Sequence, residues 1–334
     1  MHSGRFYTLP EFVLWTRRVI YALTALAIVP TVLYQYFHWH WLAMPWVPIA
    51  LVGTAAAFIA GFKNNATYAR AWEARQIYGG IVNASRAWGI MVKDHVRHAD
   101  AAAATAVHRE LIYRHIGWLT ALRFQLREAR EWEHMKTEAN YREYRQRYSV
   151  PEWETKLEDE MAPYLPVEEM NYIMGKKNRA TQIIATQSRR LRELHEAGMI
   201  ETLCYVEMEA QLREFYDGQG KCERIKGFPY PRQFASINRY FIRMFVFMVP
   251  FGMLKEFEKL SHEAVWLTIP FSVLVSWVFT SLEQIGSSTE NPFEGSPNDV
   301  PITAISRTIE IDLRDMLDEK DLPAPIQPVN KILM

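Results

Sequence analysis

The chain has 334 residues, a mass of 39.1 kDa and no formal net charge, with 38 Lys and Arg against 38 Asp and Glu. This balance argues against a protein that binds nucleic acid through bulk positive charge. Its two cysteines, Cys204 and Cys222, exclude a disulfide scaffold, and neither stands in a metal-ligand spacing. The mean hydropathy of −0.17 is typical of a soluble protein, but the apolar residues are concentrated in a few segments.

Four of these segments are apolar enough to cross a membrane as helices. They are residues 19–37, 41–62, 241–254 and 264–282, and only the third contains a charge, Arg243. A helix of about 20 residues spans the hydrocarbon layer of about 30 Å. Each segment contains proline, which membrane helix bundles tolerate. The first segment starts too late and is too long for a signal peptide.

Basic residues flank these segments unevenly. Arg5, Arg17 and Arg18 precede the first segment, and Lys63 and Arg70 follow the second, whereas the turn between them has neither Lys nor Arg. Because basic residues stay on the cytoplasmic side, we expect both termini and the long middle region in the cytoplasm.

The middle region has the periodicity of amphipathic helices, with no convincing strand pattern. Helices are predicted at 101–133 with Asp100 as N-cap, at 178–197, at 199–216 and, in the tail, at 304–317. No Gly or Pro interrupts residues 62–78, so the second span should continue as one helix. We predict an all-α membrane protein divided into an N-terminal segment (1–18), spans 1 and 2 (19–62), a cytoplasmic helical domain (63–236), spans 3 and 4 (237–283) and a cytoplasmic tail (284–334).

The sequence contains no common motif of nucleotide-binding proteins, serine hydrolases or zinc proteases. We therefore predict that it is not an enzyme and that it holds no cofactor or metal. His38 and His40 could form a metal pair, but their neighbours Trp39 and Trp41 favour an aromatic belt at the membrane interface.

The second span carries an informative stripe. Thr54, Phe58 and Phe62 are spaced at i, i+4 and i+8, so they lie on one side of a helix among small residues. One interpretation is ordinary helix packing, which small residues favour. The other is a pore-lining stripe, because a ring of such helices would form a narrow apolar constriction with aromatic edges facing an ion.

Three further motifs occur in a fixed order relative to the spans. Residues 61–75 are GFKNNATYARAWEAR, followed by VNASR at 82–86; CERI at 222–225 is followed by PYP at 229–231; NPF stands at 291–293. Together they resemble the bestrophin family in its bacterial branch, over nearly the whole chain. The resemblance implies a homopentamer around one axial pore in the bacterial inner membrane. Its partners would be membrane lipid, further copies of the chain and permeant monovalent ions.

The same resemblance implies roles for particular residues. It assigns Thr54, Phe58 and Phe62 to the pore neck, where the family usually has three bulky apolar rings, so Thr54 departs from the pattern. A second narrowing, the cytosolic aperture, falls on Val206, with Leu203 as the alternative. Both could equally be core positions of helix 199–216.

Two further groups of residues can be interpreted: one just after the second span and one just after NPF. Three residues just after the second span are expected to stabilise the junction between membrane and cytoplasm: Arg70, Trp72 and Arg75. Eukaryotic members bind calcium through an acidic run after NPF, but residues 294–299 contain only Glu294 and Asp299. Calcium takes six to eight oxygen ligands, so we predict no calcium clasp of the family type.

The sequence leaves alternatives open for the ion selectivity and for whether the protein conducts ions. The eukaryotic branch conducts chloride and other anions, which favours anions here, while acidic vestibule residues could favour cations. A non-conducting membrane scaffold could instead recruit a cytoplasmic protein through the tail helix at 304–317. A secondary transporter or an interfacial enzyme is disfavoured, since neither an internal repeat nor a catalytic set is found.

Overall fold

The structure, a computed structural model, describes residues 1–135, 143 and 145–334. Within them, short 3-10 turns occur at His40–Leu42, Arg145–Arg147 and Glu263–Leu267. The α-helices in this part of the chain are α1 (Leu9–Tyr36), α2 (Trp46–His95), α3 (Ala101–Arg127), α4 (Pro151–Glu154), α5 (Leu157–Met161), α6 (Val167–Met174), α7 (Arg179–Glu196), α8 (Thr202–Gly227), α9 (Arg232–Glu258), α10 (Thr268–Ser288) and α11 (Ile302–Met316). These helices, with no strand among the described residues, confirm the all-helical prediction.

The chain folds as two compact units. The span unit comprises Gly4–Ala71 and Pro229–Asn291, and the large unit comprises Met1–Ser3, Trp72–Phe228 and Pro292–Met334. Helix α2 contributes its first part to the span unit and its second part to the large unit.

Within the part of the chain that the structure describes, four helical segments are long and apolar enough to cross a membrane, which agrees with the predicted number. They are α1, α2 with its preceding turn, α9, and α10 with its preceding turn. Helix α1 begins earlier than the apolar run because Thr8 and Glu11 form a capping box at its start. Pro48 and Pro270 lie in the first turns of α2 and α10, where a missing backbone donor has no intrahelical partner to lose.

The span unit packs through small residues on α2. A Cβ atom at Gly53 would stand 2.5 Å from the ring of Phe245 on α9, so only glycine permits this approach. Phe245 in turn contacts Phe279 of α10, with ring centroids 4.5 Å apart. The indole of Trp277 on α10 donates a hydrogen bond of 2.9 Å to Thr16 of α1.

The large unit has an apolar core to which α2, α3, α7, α8 and α11 contribute. At its centre Trp118 and Phe215 contact each other with ring centroids 5.1 Å apart, and the ring of His115 lies 4.4 Å from that of Phe215. Helix α2 approaches α11 closely at Gly89, where a Cβ atom would stand 2.7 Å from Leu313.

Helix boundaries in the large unit agree with the sequence to within two residues for α7 and α11 and at the start of α3, and they differ at the end of α3 and at both ends of α8. Asp100 accepts a hydrogen bond from the backbone of α3, and Asn178 does so at the start of α7, as predicted for Asp100. The predicted helix at 101–133 ends at Arg127. The helix predicted to end at 216 continues to Gly227, because packing of α8 at Gly218 against Ile81 overrides the low helix propensity of glycine.

Candidate functional site

Helix α2 has two different faces along its apolar part. The buried face carries mostly small or short polar groups at three-to-four spacing: Gly53, Ala56, Ala60, Lys63 and Thr67. The predicted stripe lies on the other face, where Thr54 is exposed and the side chains of Phe58 and Phe62 are 68% and 61% exposed. The structure therefore brings the three stripe residues together on a face that their own chain leaves uncovered.

The stripe has a defined local geometry. The rings of Phe58 and Phe62 meet edge to face, with centroids 4.6 Å apart and an interplanar angle of 88°. Thr54 donates its hydroxyl hydrogen to the carbonyl of Ala50 at 3.0 Å. Because that hydrogen is engaged within the helix, Thr54 presents its methyl group and an acceptor oxygen, not a donor.

A buried ion pair lies directly after the stripe on the opposite face of α2. Lys63, 4% exposed, places its Nζ 3.2 Å from Oε2 of Glu290, which is 1% exposed, and donates to Ser287 at 3.1 Å. Arg232 at the start of α9 pairs with the other oxygen of Glu290 at 2.9 Å. Buried charges need such partners, so this network fixes the end of the apolar part of α2 against α9 and the segment after α10.

Sequence analysis missed the role of this pair. Lys63 lies within the motif at 61–75 and Glu290 directly precedes NPF, and their opposite charges, each just after an apolar span, were the signal that could have revealed the pair. Arg70 joins the same network, since its Nε donates to the carbonyl of Glu290 at 3.0 Å. Trp72 and Arg75 lie exposed on the next turns of α2. The junction role of these three residues stays a prediction.

The two aperture candidates lie on the first turns of α8. Val206 is 55% exposed and Leu203 is 80% exposed, so neither is a core residue. The buried residues of that helix lie on its other side: Met208, Leu212, Phe215, Gln219, Cys222, Ile225 and Lys226. Val206 and Leu203 therefore both remain candidates for the residue that forms the cytosolic aperture.

The CERI motif forms internal contacts of the large unit. Arg224 pairs with Glu73 of α2 at 2.5 Å. One carboxylate oxygen of Glu223 accepts hydrogen bonds from three amide side chains: Gln125, Asn178 and Gln219. These side chains stabilise helix packing and take no part in the exposed stripe.

The loop after NPF is organised around Asp299. Its Oδ1 accepts from the backbone of Phe293 and Val300, and its Oδ2 accepts from the backbone of Gly295 and, at 2.6 Å, from Arg127. Both oxygens of Asp299 are thus engaged within the chain. The predicted absence of a calcium clasp stays a prediction, and this engagement supports it.

Glu294 in the same loop lies in a different environment. Burial, with Glu133 and Asp299 nearby, raises the pKa of the Glu294 carboxyl well above its usual value. Its Oε2 accepts a hydrogen bond of 3.2 Å from the backbone amide of His134. A carboxyl that resists ionisation is a poor calcium ligand, since calcium prefers charged oxygens.

The His38–His40 pair stacks within its turn. The two rings lie 6.0 Å apart, and His40 meets the ring of Tyr34 edge to face at 4.8 Å. No group of three His, Cys, Asp or Glu side chains that could hold a metal occurs in the described residues. These contacts show an aromatic cluster in the turn, and its place in an aromatic belt at the membrane interface stays a prediction.

A family model, two curated relatives and a solved structure are similar to this chain. The family model for bacterial and fungal bestrophin proteins matches residues 13–315. The voltage-dependent anion channel-forming protein YneE of Escherichia coli (strain K12) is 28% identical over 281 residues, covering 84% of this chain and 80% of that protein. The voltage-dependent anion channel-forming protein RSc3414 of Ralstonia nicotianae is 26% identical over 290 residues, covering 85% and 83%.

A solved structure shows the same fold. The crystal structure of a bacterial bestrophin homologue from Klebsiella pneumoniae superposes with a TM-score of 0.75 at 23% sequence identity. The superposition covers 90% of this chain and 98% of the homologue. The resemblance carried by the ordered motifs is therefore confirmed along the chain, which belongs to the bacterial and fungal bestrophin family.

Proposed function

We propose that this chain is the subunit of a homopentameric membrane channel for monovalent anions, with chloride as the favoured ion. One observation carries the proposal: α2 exposes the bulky Phe58 and Phe62, while small residues at Gly53, Ala56 and Ala60 lie on the face buried within its own chain. A stripe of this kind encloses a path only when several copies face one axis. The YneE and RSc3414 relatives are named as anion channel-forming proteins, which favours anions over cations.

Thr54, Phe58 and Phe62 form the neck of this channel. Rings of phenylalanine oppose wetting of a narrow pore and so limit conduction. Their edges carry partial positive charge, which suits an anion better than a cation. The outermost ring, Thr54, supplies a methyl group and an acceptor oxygen and is a weaker barrier. Val206, or alternatively Leu203, forms the second narrowing.

The channel lies in the bacterial inner membrane with both chain ends in the cytoplasm. Basic residues on either side of the first two spans support this orientation. The proposed boundaries are those predicted above, with membrane helices at 19–62 and 237–283, a cytoplasmic domain at 63–236 and a tail at 284–334. Its partners are lipid, four further copies and the permeant ion.

The non-conducting scaffold loses the docking surface that the sequence suggested. Helix α11 buries its apolar side chains Ile302, Ile309 and Leu313 in the core of the large unit. That face is occupied by the chain itself, so it cannot dock a partner without local unfolding.

Thiol accessibility tests the proposed pore. Phe58→Cys is introduced into a Cys204→Ser background, where Cys222 is inert because burial raises the pKa of its thiol to about 12. We expect a charged, water-soluble thiol reagent to change the current through Phe58→Cys channels in a bilayer.

The matched control is Val29→Cys on α1, which is also exposed in its own chain. If α2 lines the pore, Val29→Cys faces lipid and its current stays constant under the same reagent. Equal responses of the two variants, or none in Phe58→Cys, would contradict the pore-lining role of α2.

A further inference from the structure

The large unit contains a polar cavity that the proposed channel does not use. It has a volume of about 650 Å³ and lies between the end of α3, helix α4 and the start of α7. Its polar lining includes four basic residues, Arg127, Arg130, Lys177 and Arg179, against two acidic ones. The cavity is therefore rich in positive charge.

Three buried polar atoms on the cavity lining have no hydrogen-bond partner among the residues that the structure describes. They are Nε of Arg127, Oε2 of Glu152 and Nε of Arg179. Arg127 as a whole is only 2% exposed, and its Nε stands 3.9 Å from Oε2 of Glu152, too far for a direct hydrogen bond. Because buried polar atoms are nearly always paired, these two donors and one acceptor point to a ligand.

The remaining atoms of Arg127 and Glu152 are already engaged and hold both side chains in place. Oε1 of Glu152 accepts from Arg123 and from Thr303, each at 2.6 Å. Arg127 donates through its other nitrogens to Asp299 and to the carbonyl of Val300. Within the described residues, Nε of Arg127 and Oε2 of Glu152 lie 3.9 Å apart as an ion pair, and a ligand in the cavity can supply the hydrogen bonds that both lack.

Glu152 can act only as an acceptor. Burial disfavours its charged form, but Arg127 and Arg123 outweigh burial and hold the pKa of Glu152 below its usual value. An ionised carboxylate has no hydrogen to donate, so its free oxygen requires a donor from the ligand.

The start of α7 adds to the positive potential. Lys177 and Arg179 flank the N-cap Asn178, and neither forms an ion pair with any described residue. The backbone amides at a helix N-terminus also favour negative charge. The ligand must therefore be an anion overall while still carrying one hydrogen-bond donor.

We propose that this cavity binds a protonated oxyanion of the phosphate class, whose oxygens accept from Arg127 and Arg179 and whose P–OH group donates to Glu152. Inorganic phosphate keeps at least one O–H at neutral pH, whereas sulfate has none. Sulfate would place an acceptor oxygen against the Glu152 carboxylate, and a site built to accept a hydrogen bond rejects a ligand that lacks the donor. Phosphate and sulfate have similar shapes, so a comparison of their affinities distinguishes this site from one that binds any anion.

Isothermal titration calorimetry tests the proposal. The full-length protein in detergent is titrated with inorganic phosphate and, separately, with sulfate. We expect phosphate to bind and sulfate to bind at least about a hundredfold more weakly. Arg179→Met should weaken phosphate binding about tenfold or more. Arg189→Met, an exposed change on the same helix outside the cavity lining, should leave it unchanged.

Glu152→Gln is a second test. Because the amide of Gln can donate a hydrogen bond to sulfate, this variant should bind sulfate better and show a smaller difference between the phosphate and sulfate affinities. If that variant fails to fold, Arg179→Met still tests the site. Equal binding of phosphate and sulfate, no loss in Arg179→Met, or no binding of either ion would overturn the proposal and leave a cavity filled by water. The assay needs no ion current, so its failure is distinct from failure of the channel.

Discussion

At the level of single residues, the proposed channel depends most on two aromatic side chains of α2. Phe58 and Phe62 contact each other and are otherwise largely uncovered in their own chain. A soluble monomer would avoid this exposure, but a membrane oligomer can turn such rings toward an axis.

Phe58→Ala and Phe62→Ala should each raise the single-channel conductance or the open probability. Removing a ring widens the constriction and eases wetting. Planar-bilayer recordings measure both quantities, with Val29→Ala at an exposed position on α1 as the control. Unchanged currents in both phenylalanine variants would exclude these positions from the neck.

Lys63→Met should lower the free energy of unfolding by about 3 kcal/mol, because it leaves the buried Glu290 with less compensation. The double variant with Glu290→Gln should recover part of this loss, since the remaining Arg232 is half-exposed. Denaturant unfolding in detergent measures the effect.

The control for Lys63→Met is Lys259→Met, which removes an exposed ion pair with Glu256. Exposed pairs contribute little, so this variant should unfold like the parent protein. Equal stability of Lys63→Met and Lys259→Met would contradict a structural role for the buried pair.

At the level of helices, α2 joins the two units as one continuous element of 50 residues. The sequence predicted this continuity from the lack of Gly or Pro after Phe62. It also predicted the N-cap at Asp100, because a short acceptor side chain before an apolar periodic run is a local signal. The length of α8 was not predictable in the same way, since contacts with α2 decide whether Gly218 stays helical.

Gly53→Ala should destabilise the span unit, because the added methyl would collide with the ring of Phe245. Gly79→Ala on the same helix has no atom within 4 Å of the added methyl and should be neutral or stabilising by up to about 1 kcal/mol. Thermal unfolding of the two variants measures the contrast. A larger loss in Gly79→Ala than in Gly53→Ala would contradict the packing of α2 on α9.

At the level of the whole molecule, part of the stability should depend on pH through His115. Burial lowers the pKa of this imidazole to about 3 from its usual 6.5, so the unfolded chain binds a proton more readily than the folded one between these values. His115 thus favours folding fully above pH 6.5, and stability falls as the pH is lowered, by up to about 1.4 kcal/mol per pH unit.

His115→Phe should weaken this acid sensitivity. The phenyl ring can occupy the same aromatic surroundings, and Ser85 retains its hydrogen bond to the carbonyl of Ile81. Urea unfolding at pH 7 and pH 5 gives the comparison. The same loss of stability in both proteins would exclude His115 as a source of the pH dependence.

The candidate site was only partly visible in the sequence. Helical spacing grouped Thr54, Phe58 and Phe62, because residues four apart must share a face. Lys63 and Glu290, which form an ion pair, are far apart in the chain. The residues that carry the unpaired polar atoms around Arg127 are also distant from one another in sequence. No local pattern predicts such pairs, since tertiary packing alone decides which charges meet.

The reversal potential of the purified protein in a planar bilayer under a KCl gradient shows which ion the channel conducts. A channel for monovalent anions predicts a reversal potential close to the chloride equilibrium potential. A reversal potential close to that of potassium, or no current from protein shown to be pentameric, would contradict it.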